Sequence, residues 1–395
     1  MTNRPRKLAY AAIAALIAVT TACGDGDDPA IAAAVDTAQL DPGNYPTTPR
    51  DIEGQRTAAT GSLQESVRLG EHVPLMFDID PRMIHGASSS SAKHISAERP
   101  PRIGDVETFN ERVPGLVAGW RTGGSQREGM TPGLSASSWV MRFQTAAQAE
   151  HAADVISAEE NRQYPPKGEL DIPGFPAGRT FHSQYDAVQS WTPHNEYLLY
   201  VYVSNSLATP PDHVPLLDFA KKVFDAQVER LAAYQPTPAD QLSTVPSDVD
   251  GLLVRTLAPE RAGTYDDYSG VYPVQVYLHL EARPDLAARA YQDAGVDYVA
   301  ISGSTLFRAS DAAAAERLAA FLVTAETEMT PDASPPGFPG AKCVKGDEGT
   351  PTAPRPIVDR LCFLPVGRYV AAVVSTQPQD LHQRLSAQYL LLAEK

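Results

Sequence analysis

The feature that most constrains this chain is an internal repeat marked by one tetrapeptide. Pro173-Gly174-Phe175-Pro176 recurs as Pro336-Gly337-Phe338-Pro339, with similar local signals around it in the same order. Such self-similarity points to two copies of one structural plan rather than a single continuous core. Upstream of the first marker, Trp139 to Phe143 alternates as a strand does and leads to Thr145, with Gln148 spaced as a capping-box partner. Ala149, Ala152, Ala153 and Ile156 then fall on one helical face. Upstream of the second marker, Leu306 to Ala309 is the expected strand and Ser310 the expected cap; Ala315, Leu318, Leu322 and Ala325 form the stripe. The cap-to-marker spacings are 28 residues from Thr145 and 26 from Ser310.

Downstream of each marker the order is again strand, then helix. Tyr197 to Val203 precedes Leu216, Ala220, Val223 and Leu231, and Tyr369 to Val374 precedes Leu381, Leu385, Tyr389 and Leu392. Two earlier strands are expected at Gly115 to Arg121 and at Val296 to Ser302. Ser302-Gly303 makes a tight hairpin turn in the second copy, whereas Gly123, Gly124 and Gly129 predict a long inserted loop in the first. Hairpin turns outnumber crossovers, so the expected class is α+β, with two tandem similar domains, each a mainly antiparallel sheet packed by helices. A chain of 395 residues has room for two such domains. Their expected limits are 60–235 and 251–395, joined by a linker at 236–250 that is rich in Pro, Ser, Thr and Asp.

Before the first domain stands a leader. Arg4, Arg6 and Lys7 precede an apolar run from Leu8 to Val19, which predicts a signal peptide over residues 1–22. Twelve apolar residues rise about 18 Å as a helix, short of the roughly 30 Å needed to span a bilayer. Thr20-Thr21-Ala22-Cys23-Gly24 follows with the small residues and cysteine of a lipoprotein cleavage site, although Thr20 stands where leucine is usual. An ordinary secretory site also takes small residues there, but the cysteine at that position favours Cys23 as a lipid anchor on the outer face of the cell membrane. Residues 23–59 are then expected to form an acidic tether and a turn-rich opening segment.

With Cys23 acylated, Cys343 and Cys362 remain as an even pair outside the cytosol. A disulfide is the expected state, a free thiol nucleophile the alternative, and the bridge would pin the strand after the second marker to Leu361 through Leu364. Removal of the leader takes the formal charge from −15 to −18, because it carries Arg4, Arg6 and Lys7 and no acid. So acidic a chain, with no cluster of cations and aromatics, is not expected to bind nucleic acid.

The lipoprotein cleavage site, Leu40-Asp41-Pro42-Gly43-Asn44-Tyr45-Pro46-Thr47-Thr48-Pro49-Arg50, the Phe77-Asp78-Ile79-Asp80-Pro81 stretch and the repeated marker together resemble a family of actinobacterial envelope lipoproteins of unknown function. The resemblance spans nearly the whole chain. It implies a lipid-anchored envelope protein and no activity, because it brings no catalytic residues to carry over.

Motifs for chemistry are missing. There is no G-x-S-x-G elbow, no H-E-x-x-H pair, no complete calcium loop and no glycine-rich phosphate loop. Ser88 to Ser91 reads as a loop, and Ser302 and Ser304 as turn residues. His182 and His194 flank predicted hairpin strands and are weighed as a convergent pair. Asp78 with Asp80, Asp248 with Asp250, and Asp266 with Asp267 are weighed as calcium fragments, with caps and turns as the plainer reading. Tyr197, Tyr200, Tyr202, Tyr265, Tyr268, Tyr272 and Tyr277 concentrate in two strand regions, as sheet packing or as a ligand groove. No cofactor, metal or catalytic residue is assigned. The expected function is non-enzymatic binding of a lipid or other envelope ligand, glycan or protein. The alternatives are a structural or protein-interaction component and, less favoured, a hydrolase without a recognisable motif.

Overall fold

A computed structural model describes residues 35–86, 93–101, 104–129, 132–259, 269–346 and 360–393. The leader, Cys23, the acidic tether up to residue 34, Ser88 to Ser91, Tyr265, Tyr268, Asp266 and Asp267 lie outside them.

The first half runs through α1 (Ala58–Gly70), α2 (Met76–Ile79), β1 (His85–Gly86), β2 (His94–Ile95), α3 (Val106–Arg112), β3 (Leu116–Ser125) and β4 (Leu134–Phe143). It continues with α4 (Ala146–Gln163), β5 (Gly168–Leu170), β6 (Arg179–His182), β7 (Val188–His194), β8 (Tyr197–Asn205) and α5 (Val214–Leu231). The second half has β9 (Gly270–Pro273), α6 (Val274–Tyr277), α7 (Pro284–Ala294), β10 (Tyr298–Ile301), β11 (Thr305–Arg308) and α8 (Ala312–Ala325). It ends with β12 (Thr330–Asp332), β13 (Lys342–Lys345), β14 (Arg360–Val366), β15 (Tyr369–Ser375) and α9 (Pro378–Ala393).

Each half is an antiparallel sheet packed by helices, so the protein is α+β with two domains. The strand orders are β1-β3-β4-β8-β7-β6-β5, with β2 also on β3, and β12-β13-β14-β15-β11-β10-β9. Within them β3-β4-β8-β7-β6-β5 and β10-β11-β15-β14-β13-β12 correspond strand for strand, with α4 matching α8 and α5 matching α9.

The marker builds the same corner twice. Phe175 N–H donates to the Ile172 carbonyl at 3.0 Å and Phe338 N–H to that of Pro335 at 3.1 Å, closing a turn with proline second and glycine third. Gly174 and Gly337 take φ of +92° and +84°, the left-handed region that a Cβ disfavours, although a Cβ there would meet nothing within 4 Å. Each phenylalanine then packs on the closing helix, Phe175 against Phe224 of α5 at 5.2 Å between ring centroids and Phe338 against His382 of α9 at 5.8 Å. The strand that leaves the corner begins with a cation that holds the preceding helix: Arg179 meets Asp154 of α4 at 2.7 Å, and Lys342 meets Glu316 of α8 at 2.8 Å.

One residue further on, the copies differ in chemistry at a matching pair. Cys343 faces Cys362 across β13 and β14 and is disulfide-bonded to it, whereas Thr180 faces Ser190 across β6 and β7 with their hydroxyls 2.8 Å apart.

Two local expectations are corrected. The cap of α8 is Asp311, whose carboxylate accepts from Ala314 N–H at 2.8 Å, and Ser310 instead donates to that carboxylate. A carboxylate reaches the free amides of a first turn and suits the positive end of the helix dipole. Gly123 and Gly124 belong to β3 rather than to a loop, because Gly124 admits α2: a Cβ there would stand 2.8 Å from the Met76 Cβ.

The halves share core. Tyr272 and Val276 pack in one cluster with Val67, Met76 and Trp120, while Leu75 belongs to the second half's cluster. Residues 236–250 carry a 3-10 helix, Ala239–Thr244, whose Leu242 packs on Val117 and Ala118. The opening segment docks on the second domain, where Tyr45 donates to Asp380 at 2.5 Å and Arg50 donates to Thr256 at 3.1 Å.

Gly337→Ala is expected to lower stability by about 1 to 2 kcal/mol through backbone strain alone. Urea unfolding monitored by circular dichroism reads the loss directly, and an unchanged midpoint removes the turn assignment. Replacing the disulfide by the first copy's pair, Cys343→Thr with Cys362→Ser, is expected to leave the fold intact. The lost cross-link should cost on the order of 3 kcal/mol, as for a loop of this length. The same urea titration, with the parent protein oxidised and reduced, checks that expectation.

Candidate functional site

The first sheet presents an aromatic row on the face that α4 only partly covers. Strand pairing aligns Arg121, Trp139, Tyr200, Trp191 and Arg179 across β3, β4, β8, β7 and β6. Tyr200 lies between the two indoles, its ring centroid 4.6 Å from that of Trp139 and 4.1 Å from that of Trp191. The Arg121 guanidinium stacks over Trp139 at 4.7 Å, so a cation faces the ring's electron-rich surface. The Trp191 indole N–H donates to Glu160 Oε2 at 2.9 Å, which fixes the end of α4 against this row.

The next row holds Ser137, Tyr202, Gln189 and Phe181, one alternation further along the same strands. Above its β7–β6 end opens a cleft of about 160 Å³, lined by Glu160, Asn161, Tyr164 and Pro166 from the end of α4 and the turn after it. Ser183, Gln184 and Tyr185 from the β6–β7 hairpin, with Phe181, Gln189 and Tyr202 from the sheet, complete the lining. Tyr164 and Tyr185 form its rim, 51% and 66% exposed, with ring centroids 6.5 Å apart.

The hairpin is held in place by its own polar groups. Ser183 Oγ accepts from Tyr185 and Ala187 N–H at 3.2 Å each, and Asp186 takes φ of 59°. Lys167 is ion-paired with Asp186, and His182 lies 3.1 Å from the same carboxylate. The Lys167 hydrogen bond, followed by its charge and by His182, holds Asp186 below the usual carboxylate range. Burial raises the phenols of Tyr200 and Tyr202 above their ordinary value, so both present neutral hydroxyls at physiological pH.

The residues weighed from sequence are dispersed. Cys343 and Cys362 lie in the other sheet. His182 ends β6, where it pairs with Val188 at the start of β7, and His194 stands at the other end of β7, where it pairs with Tyr197 of β8. Asp78 takes Arg230, Asp80 takes Arg82, and Asp248 accepts from the Leu253 and Val254 amides. Among the described residues no group of three or more His, Cys, Asp or Glu is placed to hold a metal ion. Of the tyrosines, Tyr202 lines the cleft and Tyr200 is buried under α4, while Tyr197, Tyr272 and Tyr277 pack in the core between the halves.

Trp139, Trp191, Tyr164, Tyr185, Gln189 and Glu160 had not been singled out from sequence. A signal existed in the comparison of the two copies. At the positions of Trp139, Gln189, Trp191, Tyr200 and Tyr202 the second copy has Thr305, Leu361, Phe363, Ala372 and Val374, so the polar aromatic set belongs to the first copy alone.

These features define a two-domain α+β protein built on a duplicated antiparallel sheet, with an aromatic cleft on the first sheet. The chain belongs to the DUF7373 family, a family of unknown function: residues 52–247 match its N-terminal domain and residues 252–395 its C-terminal domain. No curated protein and no solved structure matches the chain. Among the described residues no helix is long and apolar enough to cross a membrane.

A second concentration of polar groups is buried where the halves meet. His279 Nδ1 lies 2.8 Å from Thr122 Oγ1, and its ring stands edge-on to Trp120 with 6.0 Å between centroids. Burial, aided by Lys93, pushes the His279 pKa down to about 3; burial, aided by Arg99 and Arg121, pushes that of His94 to about 4. Both imidazoles are therefore folded in neutral form. Their contribution to stability is complete above an unfolded pKa near 6.5 and is lost as the pH falls toward the folded values. Glu281 runs the other way, because burial raises it to about 7: its contribution is complete below about 4.5 and is lost as the pH rises through 7.

Two histidines against one carboxyl leave a net loss of about 1.4 kcal/mol per pH unit on acidification from roughly 6.5 to 4.5. Thermal melts across that range are expected to show a falling midpoint, with a steeper fall in Glu281→Gln. A midpoint that rises on acidification contradicts the assignment of neutral buried histidines.

Proposed function

We propose that this protein is an exported lipoprotein, held by an acylated Cys23 on the outer face of the cell membrane, which binds an envelope ligand and does no chemistry on it. The observation that carries the binding reading is the open cleft of about 160 Å³ with two exposed tyrosines on its rim. Large rings left in water beside hydrogen-bonding side chains offer apolar area and orientation at once. The anchor reading rests on the leader and on Thr20-Thr21-Ala22-Cys23. Val35, where the described chain begins, stands twelve positions after Cys23, a reach of at most about 40 Å. A tethered domain meets envelope molecules at high effective concentration, so modest affinity suffices.

Cys23→Ala is expected to move the protein from the membrane fraction to the soluble fraction and to abolish fatty-acid labelling. Full partition of the variant with membranes defeats the anchor. Native mass spectrometry of protein purified from its own host is expected to show added ligand mass, and envelope extract is expected to raise the melting temperature. If neither occurs, the binding reading fails.

A further inference from the structure

The cleft also indicates what kind of molecule it takes. Resting on the binding reading above, we infer that it holds one ring of a neutral saccharide chain, stacked on the tyrosine rim and hydrogen-bonded to the amides and carboxylate behind it. Two exposed phenol rings, Tyr164 and Tyr185, match the C–H faces of a pyranose, which are apolar although its edge is polar. Asn161, Gln184 and Gln189 line the same space, and each amide both donates and accepts, as each sugar hydroxyl does. Glu160 spends Oε2 on the Trp191 indole, leaving its second oxygen for a hydroxyl donor.

Other occupants fit less well. An acyl chain would meet the Asn161 amide and the second Glu160 oxygen with no hydrogen bond in return, at a cost of roughly 1 to 3 kcal/mol for each polar group it buries. An anionic ligand would be set against the Glu160 carboxylate in a protein whose formal charge is already −15. A proline-rich peptide also docks on aromatic grooves, but it presents carbonyl acceptors and few donors, so Glu160 would find no proton.

Size and surroundings agree with one ring of a longer chain. At about 160 Å³ the cleft lies below the range of pockets that engulf a whole ligand, and it is open. The same sheet face runs on from Tyr202 to Ser137 and then to Ser135 and Ser204, half-buried serines of which the last two have their hydroxyls 3.0 Å apart, which gives the next sugar a polar shelf.

Isothermal titration of the full mature chain in detergent provides the test, with maltohexaose, cellohexaose and α-1,6-linked mannohexaose as saccharide probes and decaproline as the peptide probe. At least one hexasaccharide is expected to bind and to perturb tryptophan fluorescence. Tyr185→Ala is expected to weaken that binding about tenfold, and Tyr185→Phe to keep it within about twofold, because the ring and not the hydroxyl makes the stack. Tyr164→Ala supplies a second exposed position, and thermal melts of each variant check that the fold is kept. Absence of saccharide binding at millimolar concentration, or binding indifferent to both alanine variants, overturns the inference. Decaproline binding that depends on Tyr185 also overturns it while leaving the binding reading intact, as does a Tyr185-dependent thermal shift with envelope extract but none with the saccharides.

Discussion

The arrangement depends on how closely the two halves approach at Trp120. That indole is buried between the first sheet and the start of the second half, with Tyr272 at 6.5 Å and His279 at 6.0 Å between centroids. Glycines make the approach possible. A Cβ on Gly70 would stand 2.9 Å from the Trp120 ring, and one on Gly86 would stand 2.0 Å from the Glu281 carbonyl oxygen. Gly86 N–H also donates to the Ala282 carbonyl at 2.8 Å, so backbone meets backbone where a side chain would hold the halves apart. The duplicated sheets are thus two domains by topology and one body by packing, with the described residues forming a single compact unit.

Within the first half a buried charge imposes a similar discipline. Glu65 of α1 is fully buried and is met by Arg142 of β4 at 3.0 Å, by Arg68 at 2.7 Å, by the Tyr234 hydroxyl and by Thr237 N–H at 2.8 Å. A buried carboxylate without such partners costs several kcal/mol, so this set fixes α1, β4 and the chain beyond α5 in one register more than it adds net stability. Because β4 also carries Trp139, the same network holds the strand that supplies the aromatic row.

The legibility of the fold in sequence followed the range of the interactions. The repeat was readable because its signals are local: Pro-Gly needs only four residues to make its turn, and the alanine stripes of α4 and α8 need only helical periodicity. Asp311 was displaced from Ser310 by one position because both side chains cap well and only geometry chooses between them. The docking of Tyr45 on Asp380, 335 residues away, leaves no periodic trace. The cleft was hidden for the same reason, since Phe181, Gln189 and Tyr202 meet only through the pairing of β6, β7 and β8. Period-2 alternation shows that each residue faces outward or inward, but not which strand becomes its neighbour.

The two copies also fill the matching sheet face with different side chains. In the second copy the matching sheet face places Phe363 and Leu361 in the same core cluster as Leu318 and Leu322 of α8, so large apolar side chains there are met by large apolar side chains. In the first copy Ala152 and Ile156 of α4 stand where α8 has Leu318 and Leu322, and Trp191 and Tyr200 pack against them from the sheet. Rings that long reach past the helix toward its C-terminal end, where Glu160 can accept the Trp191 proton and Tyr164 follows at the surface. The exchange of leucine and phenylalanine for polar aromatics and an amide therefore has both a packing consequence and a chemical one. It keeps the shared sheet filled beneath the helix and leaves hydrogen-bonding groups at the edge, where the first domain meets solvent.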